Sequence, residues 1–308
     1  MQIPKDSFHI IDETSPLVAV ILGRADSPGP APSPEECYDP KSLQHVLAGT
    51  YPAEKDMVKE IESFLHVLEK YHIKVFRPEP LENTNQIFSR DIGFVVENKF
   101  IKSNILPDRE KEYKAIEHII NQIDTNQIII PPEDVHIEGG DVMPWRDYIF
   151  IGTYRQNDYA DIITARTNGR AVEWLQEIFP HKKVMAFDLI KSNTDPYENA
   201  LHLDCVFQPV GADKAIIYKE GFAKPEQYQQ LVEIFGYNNL FHLTKQEMYD
   251  MNANIFSISP EIVVSDSQFT RLNRWLRKNG IYTEEISYRE IAKQEGLLRC
   301  STLALTRR

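Results

Sequence analysis

One succession of elements (helix, strand, polar loop, hairpin) recurs along this chain and limits the folds open to it. Residues 54–71 put Met57, Ile61, Phe64, Leu65 and Leu68 on one helical face. HIKVFRP then reads as a strand stopped by Pro78, a polar stretch ends in SRD, and DIGFVVENKFIKSN gives two strands turning at Glu97-Asn98. The second round has a helix at 109–123, the strand QIIIPP, the loop HIEGGD and the hairpin DVMPWRDYIFIGT. The third runs from a helix at 168–179 through KKVMAFDLI and ALHLD to CVFQPVGADKAIIY, turned at Gly211-Ala212-Asp213. A fourth has a helix at 225–236, a strand near FHL and the hairpin NANIFSISPEIVVSD. The fifth has a helix at 268–278, IYTEEIS and LRCSTLALT. Helix starts near 54, 109, 168, 225 and 268 are spaced by roughly 43–59 residues, as a radial or stacked repeat requires.

The fifth round has only one strand after its loop. The orphan strand LVAVILG (17–23) can supply the other, joining distant parts of the chain and hiding sheet edges. An open α/β sheet also alternates helices and strands, but would give one strand per helix and not a pair. Residues 24–53, with RADSPGPAPSPEE, form a long Pro-rich segment expected to be a lid or binding loop. Residues 1–308 are read as a single catalytic domain.

A net charge of −12 argues against a phosphate-binding surface, so nucleic acid is not an expected partner; a small cationic ligand is. The three cysteines, Cys37, Cys205 and Cys300, are too scattered for a disulfide framework or a zinc site. They suggest a reducing compartment. No apolar leader or membrane-length run is present, so a cytoplasmic protein away from membranes is expected. Without HExxH, GxGxxG or GxxxxGK[ST], neither a metal nor an organic cofactor is expected. Oligomeric state is left open, with a homo-oligomer as one option.

Four polar loops hold unusual residues: Asn85 through Arg90-Asp91, Glu138-Gly139-Gly140-Asp141, His202-Leu203-Asp204, and Arg299-Cys300. In a radial array equivalent loops converge, so their acids, imidazole and thiol would share one pocket. His202 and Asp204, two apart at a strand start, would face the same way as general acid/base and carboxylate, or simply form a polar strand face. Glycines after Glu138 would let the backbone approach a ligand, or mark a plain turn. A lone cysteine is commonly a small buried hydrophobe. Cys300, however, opens the last strand at the position of the other polar loops, beside Ser301 and Thr302. Cys205 is read as structural, and Cys37 has no assigned role.

These loops resemble the guanidino-group-modifying superfamily of arginine deiminases, dimethylargininases and glycine amidinotransferases. TNQIFSRD (84–91) and EGGDVMP (138–144) are similar to deiminase segments. LGRADSP, SRDIGFVVENKFI, HLDCVF and ANIFSI are closer to amidinotransferases, and CSTLALTRR resembles the catalytic-cysteine segment of the whole group. The resemblance spans about residues 17–308 and implies an α/β fold: a five-unit α/β propeller, the pentein fold, with pseudo-fivefold repeats. It implies Cys300 as nucleophile, His202 as general acid/base, and Asp91, Glu138 and Asp204 as guanidinium holders. Asn85, Arg90, Asp141, Arg155 and Asn254 match positions that contact the substrate or lie near it. One departure stands out: two glycines and a histidine usually precede the cysteine, whereas Gly296-Leu297-Leu298-Arg299 does so here.

Those residue types suit the chemistry. Carboxylates gripping guanidinium N–H groups fix its plane and leave the carbon face open to a thiolate. Clustered acids would repel one another in an empty site and raise the thiol pKa until a cation binds. A covalent thioether would then be hydrolysed, the favoured outcome from the deiminase-like loops, or pass its amidino group to an amine. A binding protein of the same fold that does no chemistry, such as a ribosome-binding translation factor, is the remote alternative.

Overall fold

The computed structural model describes residues 8–154 and 159–308. Strand β1 (Leu17–Leu22) is followed by helix α1 (Pro40–Leu47), helix α2 (Glu54–Lys70) and strand β2 (Lys74–Phe76). The first internal hairpin is β3 (Gly93–Val96) and β4 (Lys99–Lys102); a 3-10 stretch Pro107–Ile116 and helix α3 (Glu117–Ile120) lead to β5 (Ile128–Ile129). Next come hairpin β6 (Val142–Trp145) and β7 (Tyr148–Thr153), α4 (Gly169–Ile178) and β8 (Lys183–Asp188). Hairpin β9 (Phe207–Val210) and β10 (Lys214–Ile217) precedes α5 (Pro225–Phe235), β11 (Leu240–His242) and α6 (Lys245–Tyr249). Hairpin β12 (Phe256–Ser259) and β13 (Ile262–Asp266), α7 (Thr270–Lys278), β14 (Tyr282–Ile286) and β15 (Thr302–Arg307) complete the order.

The described strands form five separate three-stranded sheets, which excludes the open α/β sheet. Each sheet joins an antiparallel pair to one parallel strand, as in β3-β4-β5 and β6-β7-β8. The sequence grouped each single strand with the hairpin after it; the sheets group it with the hairpin before it. Parallel pairing explains the change of phase, because two parallel strands need a crossover, and the intervening helix provides it. The orphan strand does supply the partner missing from the fifth round: β1 lies between β15, antiparallel, and β2, parallel.

The helical faces read from periodicity are the buried ones. Met57, Ile61, Phe64 and Leu68 of α2 are buried, with Leu65 packed at the margin. Each such side chain removed from water contributes about 1.5–3 kcal/mol. Ala171, Trp174 and Leu175 of α4 pack in a second apolar cluster with Val142, Ile149 and Ile151. The expected helix at 109–123 is largely 3-10, because PDREKEYKAI offers few apolar residues to anchor a full α-helical face. Residues 24–53 are partly helical, and Pro40, Lys41 and Ser42 of α1 are buried, so the segment is packed against the body. Among the described residues no helix is long and apolar enough to cross a membrane.

Candidate active site

Polar loops from distant parts of the sequence meet at Cys300. The sulfur sits two residues before β15, and the Cys300 carbonyl accepts a hydrogen bond from the Arg90 amide at 3.0 Å. Asn254 clamps the cysteine from both sides: its Oδ1 accepts the Cys300 amide and its Nδ2 reaches Sγ, each at 3.1 Å. Asp204 oxygens lie 3.6 and 3.8 Å from Sγ. Burial first, then the charges of Asp204 and Asp91, push the thiol well above its ordinary pKa.

His202 is fixed by a 2.7 Å hydrogen bond between Nε2 and Glu138 Oε2, and its Nδ1 lies 3.7 Å from Asp91 Oδ1. Burial alone would favour the neutral ring. The Asp91 charge and the Glu138 bond outweigh it and hold the pKa up at about 9, so the ring is an imidazolium at neutral pH. Glu138 is correspondingly held below the usual carboxylate range: burial opposes this, but Arg166, His202 and Arg109 prevail. Gly140 makes room for the ring, since a Cβ there would stand 2.6 Å from His202 Nδ1. At Gly139 a Cβ would meet the Arg90 carbonyl at 2.1 Å. Both glycines do permit close approach, but to neighbouring loops of this chain.

A cavity of about 340 Å³ opens over this cluster. Cys300, His202, Asp91 and Asn85 line it, together with Tyr38 and Asp39 from the Pro-rich segment. Asn85 donates to Gln294 Oε1 at 2.5 Å. Among the described residues Asp91 Oδ1 has no hydrogen-bond partner. Two arginines that motif reading passed over also line the cavity. Arg109 donates to Asp91 Oδ2 at 2.7 Å and forks onto Glu112; Arg166 reaches Glu138 at 3.2 Å and the Tyr38 carbonyl at 2.8 Å. Nothing in PDRE or ITART distinguishes them from ordinary loop arginines; only long-range pairing reveals them.

Several expectations need correction. Leu203–Cys205 is a 3-10 turn, so His202 and Asp204 do not share a face by strand alternation. His202 turns to Glu138, while Asp204 is fully buried and held by Arg299 at 2.8 Å, away from the cavity lining. Arg90 is buried and does not line the cavity, because its backbone, rather than its side chain, meets the cysteine loop. Asp141 is also off the cavity, its Oδ1 spent on the Leu203 amide at 2.8 Å, where it fixes the His202 loop. Arg155 lies outside the described residues. Cys205 is buried within the apolar core, as expected for a structural residue. Ligand atoms of Asp91, Glu138 and His202 fall within 4.8 Å of one another, close enough for a metal ion, although all three already take part in the ion pairs above.

Comparison with known proteins adds independent findings. The family model described as N,N dimethylarginine dimethylhydrolase, eukaryotic, matches residues 50–305. The uncharacterized protein YkgA of Bacillus subtilis (strain 168) is 30% identical over 225 residues, covering 72% of this chain and 70% of its own. Among solved structures, SxtG, an amidinotransferase of Microseira wollei in saxitoxin biosynthesis, superposes with a TM-score of 0.76 at 16% identity, covering 98% of this chain and 97% of that one. The N-terminal domain of ArgZ, an arginine dihydrolase from the ornithine–ammonia cycle in cyanobacteria, gives 0.76 at 16% identity over 94% and 98% of the two chains. At these identities the structural likeness is one of fold: mixed α/β, built from small sheets.

Proposed function

Since the chain belongs to the N,N dimethylarginine dimethylhydrolase family, a family of guanidino-modifying enzymes, we propose that it is a cysteine-dependent hydrolase of arginine or a related small guanidino compound. In this proposal the five sheets are the units of a propeller forming one catalytic body, and the cavity over Cys300 lies where their loops meet. A free thiol nucleophile suits a reducing compartment such as the cytoplasm.

The observation that carries the proposal is the meeting of Cys300, His202 and Asp91 on one cavity, with Asp91 Oδ1 still open to an N–H donor. A guanidinium donates to Asp91 and is held flat between acids, its carbon facing the sulfur. Its positive charge offsets those of Asp204 and Asp91, so the Cys300 proton leaves to solvent as the cation binds. The thiolate forms a C–S bond, and the tetrahedral adduct collapses as His202, already an imidazolium, gives its proton to the departing amine. The neutral imidazole then takes a proton from water. The hydroxide adds to the thioether carbon, the C–S bond breaks, and a ureido product leaves with the thiolate restored. Arg109 and Arg166 on the wall are placed to attract the carboxylate of an amino-acid substrate.

Incubation with L-arginine and its N-methylated relatives, followed by mass detection, tests this directly. Amine release, a ureido product and an adduct on Cys300 are expected, and Cys300→Ser should lose turnover. Unchanged turnover in Cys300→Ser would overturn the proposal. The amidinotransferase-like segments HLDCVF and ANIFSI keep transfer in view; a new guanidino product formed only when an acceptor amine is added would replace hydrolysis by transfer.

A further inference from the structure

Behind the cavity lies an ion-pair system of which the reaction above uses only the charge of Asp204. Arg299, the residue before the nucleophile, is wholly buried. Its Nε and Nη2 fork onto the two oxygens of Glu13 at 3.0 and 3.1 Å. Nη1 donates to Asp204 Oδ2 at 2.8 Å and to the Gly140 carbonyl at 3.3 Å, and Nη2 donates also to the Val142 carbonyl at 2.9 Å. A guanidinium has five N–H donors, and all five find acceptors here. Glu13 is held down to about 2: burial opposes its ionisation, but Arg299 and Arg90 prevail.

Three of those acceptors belong to the active-site scaffold. Gly140 is the residue on which the His202 ring rests, Val142 begins the following strand, and Asp204 touches the sulfur. An arginine at this place therefore ties the cysteine loop, the Glu138 loop and the His202 loop to Glu13, in a segment ahead of β1.

Taking Cys300 as the nucleophile, as proposed above, we infer that Arg299 and Glu13 are positioning residues that pin the Asp204 side chain beside the sulfur. Asp204 is thereby withheld from the substrate, which is gripped through Asp91 on the cavity while Glu138, buried like Asp204, holds His202, and Asp204 becomes the fixed anion against which the thiol must ionise. Arg299 moderates that anion, and Glu13 limits how much of the arginine's charge is felt. The other titratable groups around Cys300 are Asp91, His202 and Glu295 on the cavity and Cys205 and Tyr288 behind it.

The test needs no substrate. Full-length protein is alkylated with iodoacetamide across a pH series, and modification at Cys300 is followed by peptide mass, which separates it from Cys37 and Cys205. Glu13→Gln frees more of the Arg299 charge and should lower the alkylation midpoint, speeding the reaction at pH 8 by about 3–10-fold. Arg299→Met should slow it by about tenfold or more, and Arg299→Lys, which keeps a charge beside Asp204, should stay within about threefold of the wild type. Unshifted midpoints in Glu13→Gln and Arg299→Met would overturn the inference. So would a lowered midpoint in Arg299→Met. Should Arg299→Met fail to fold, Glu13→Gln and Arg299→Lys decide the matter by the same criteria. Failure of the nucleophile assignment would show separately, as turnover that persists in Cys300→Ser whatever the alkylation midpoints.

Discussion

Two sets of arginine–carboxylate pairs flank the Cys300 sulfur, and they differ in what they face. Arg109 with Asp91, and Arg166 of its pair with the buried Glu138, line the cavity; Arg299 with Glu13 and Asp204 lies in the interior behind it. The chemistry of the pairs is the same. On the cavity side a carboxylate can exchange part of its partnership for water or a bound cation, and Asp91 Oδ1 is still open. On the interior side every Arg299 donor is committed, so the pair can only hold position. Burial without solvent access turns a binding group into a fastening.

The largest effect should come from the cavity side, where the proposed reaction uses the imidazole as acid and base. His202→Ala is expected to lower kcat by about 10²–10⁴-fold while the fold persists, read by product formation alongside circular dichroism. A loss in KM alone would move His202 out of the acid/base role. Stability should divide the two sets of pairs. Arg299→Met strands two buried carboxylates and should cost about 3–5 kcal/mol in denaturant unfolding. Arg109→Gln should cost only about 1–2 kcal/mol, because water entering the cavity can solvate Asp91. Equal costs would erase the contrast.

The smallest effect is a pH dependence. His202 has a folded pKa of about 9, raised above the usual value of 6.5. Its contribution is therefore fully present below pH 6.5 and is lost as pH rises through about 9, on the order of 1–3 kcal/mol. Unfolding midpoints measured from pH 6 to 10 should show the decline, and His202→Ala should flatten it.

Much of this was legible in sequence where the signal is local. Apolar periodicity marked α2 and α4 because a helix shows its buried face every three or four residues. Which hairpin a single strand joins is a long-range choice, and there the phase of the repeat was misread. Motif position likewise singled out Cys300, His202, Glu138 and Asp91, which the structure brings together, but not the direction of each side chain. Arg90 and Asp141 were placed at the substrate although one meets the site through its backbone and the other holds a loop. Arg109 and Arg166 were invisible because their carboxylate partners sit in other loops or a turn away, with no motif to mark them, and Glu13 because its partner Arg299 is 286 positions away. The unusual residue before the cysteine was the one sequence clue to the interior system.

The pairing of β1 with β15 bears on timing. Residues 17–22 and 302–307 are neighbours in one sheet, and the Ser301 carbonyl, next to Cys300, accepts the Gly23 amide at 2.9 Å. Contacts between such remote segments form late, since a very long loop must close before pairing rewards it. The Cys300 loop therefore comes into register only when these two remote strands have paired, so a partly folded chain holds the acids of the cavity wall without the sulfur beside them.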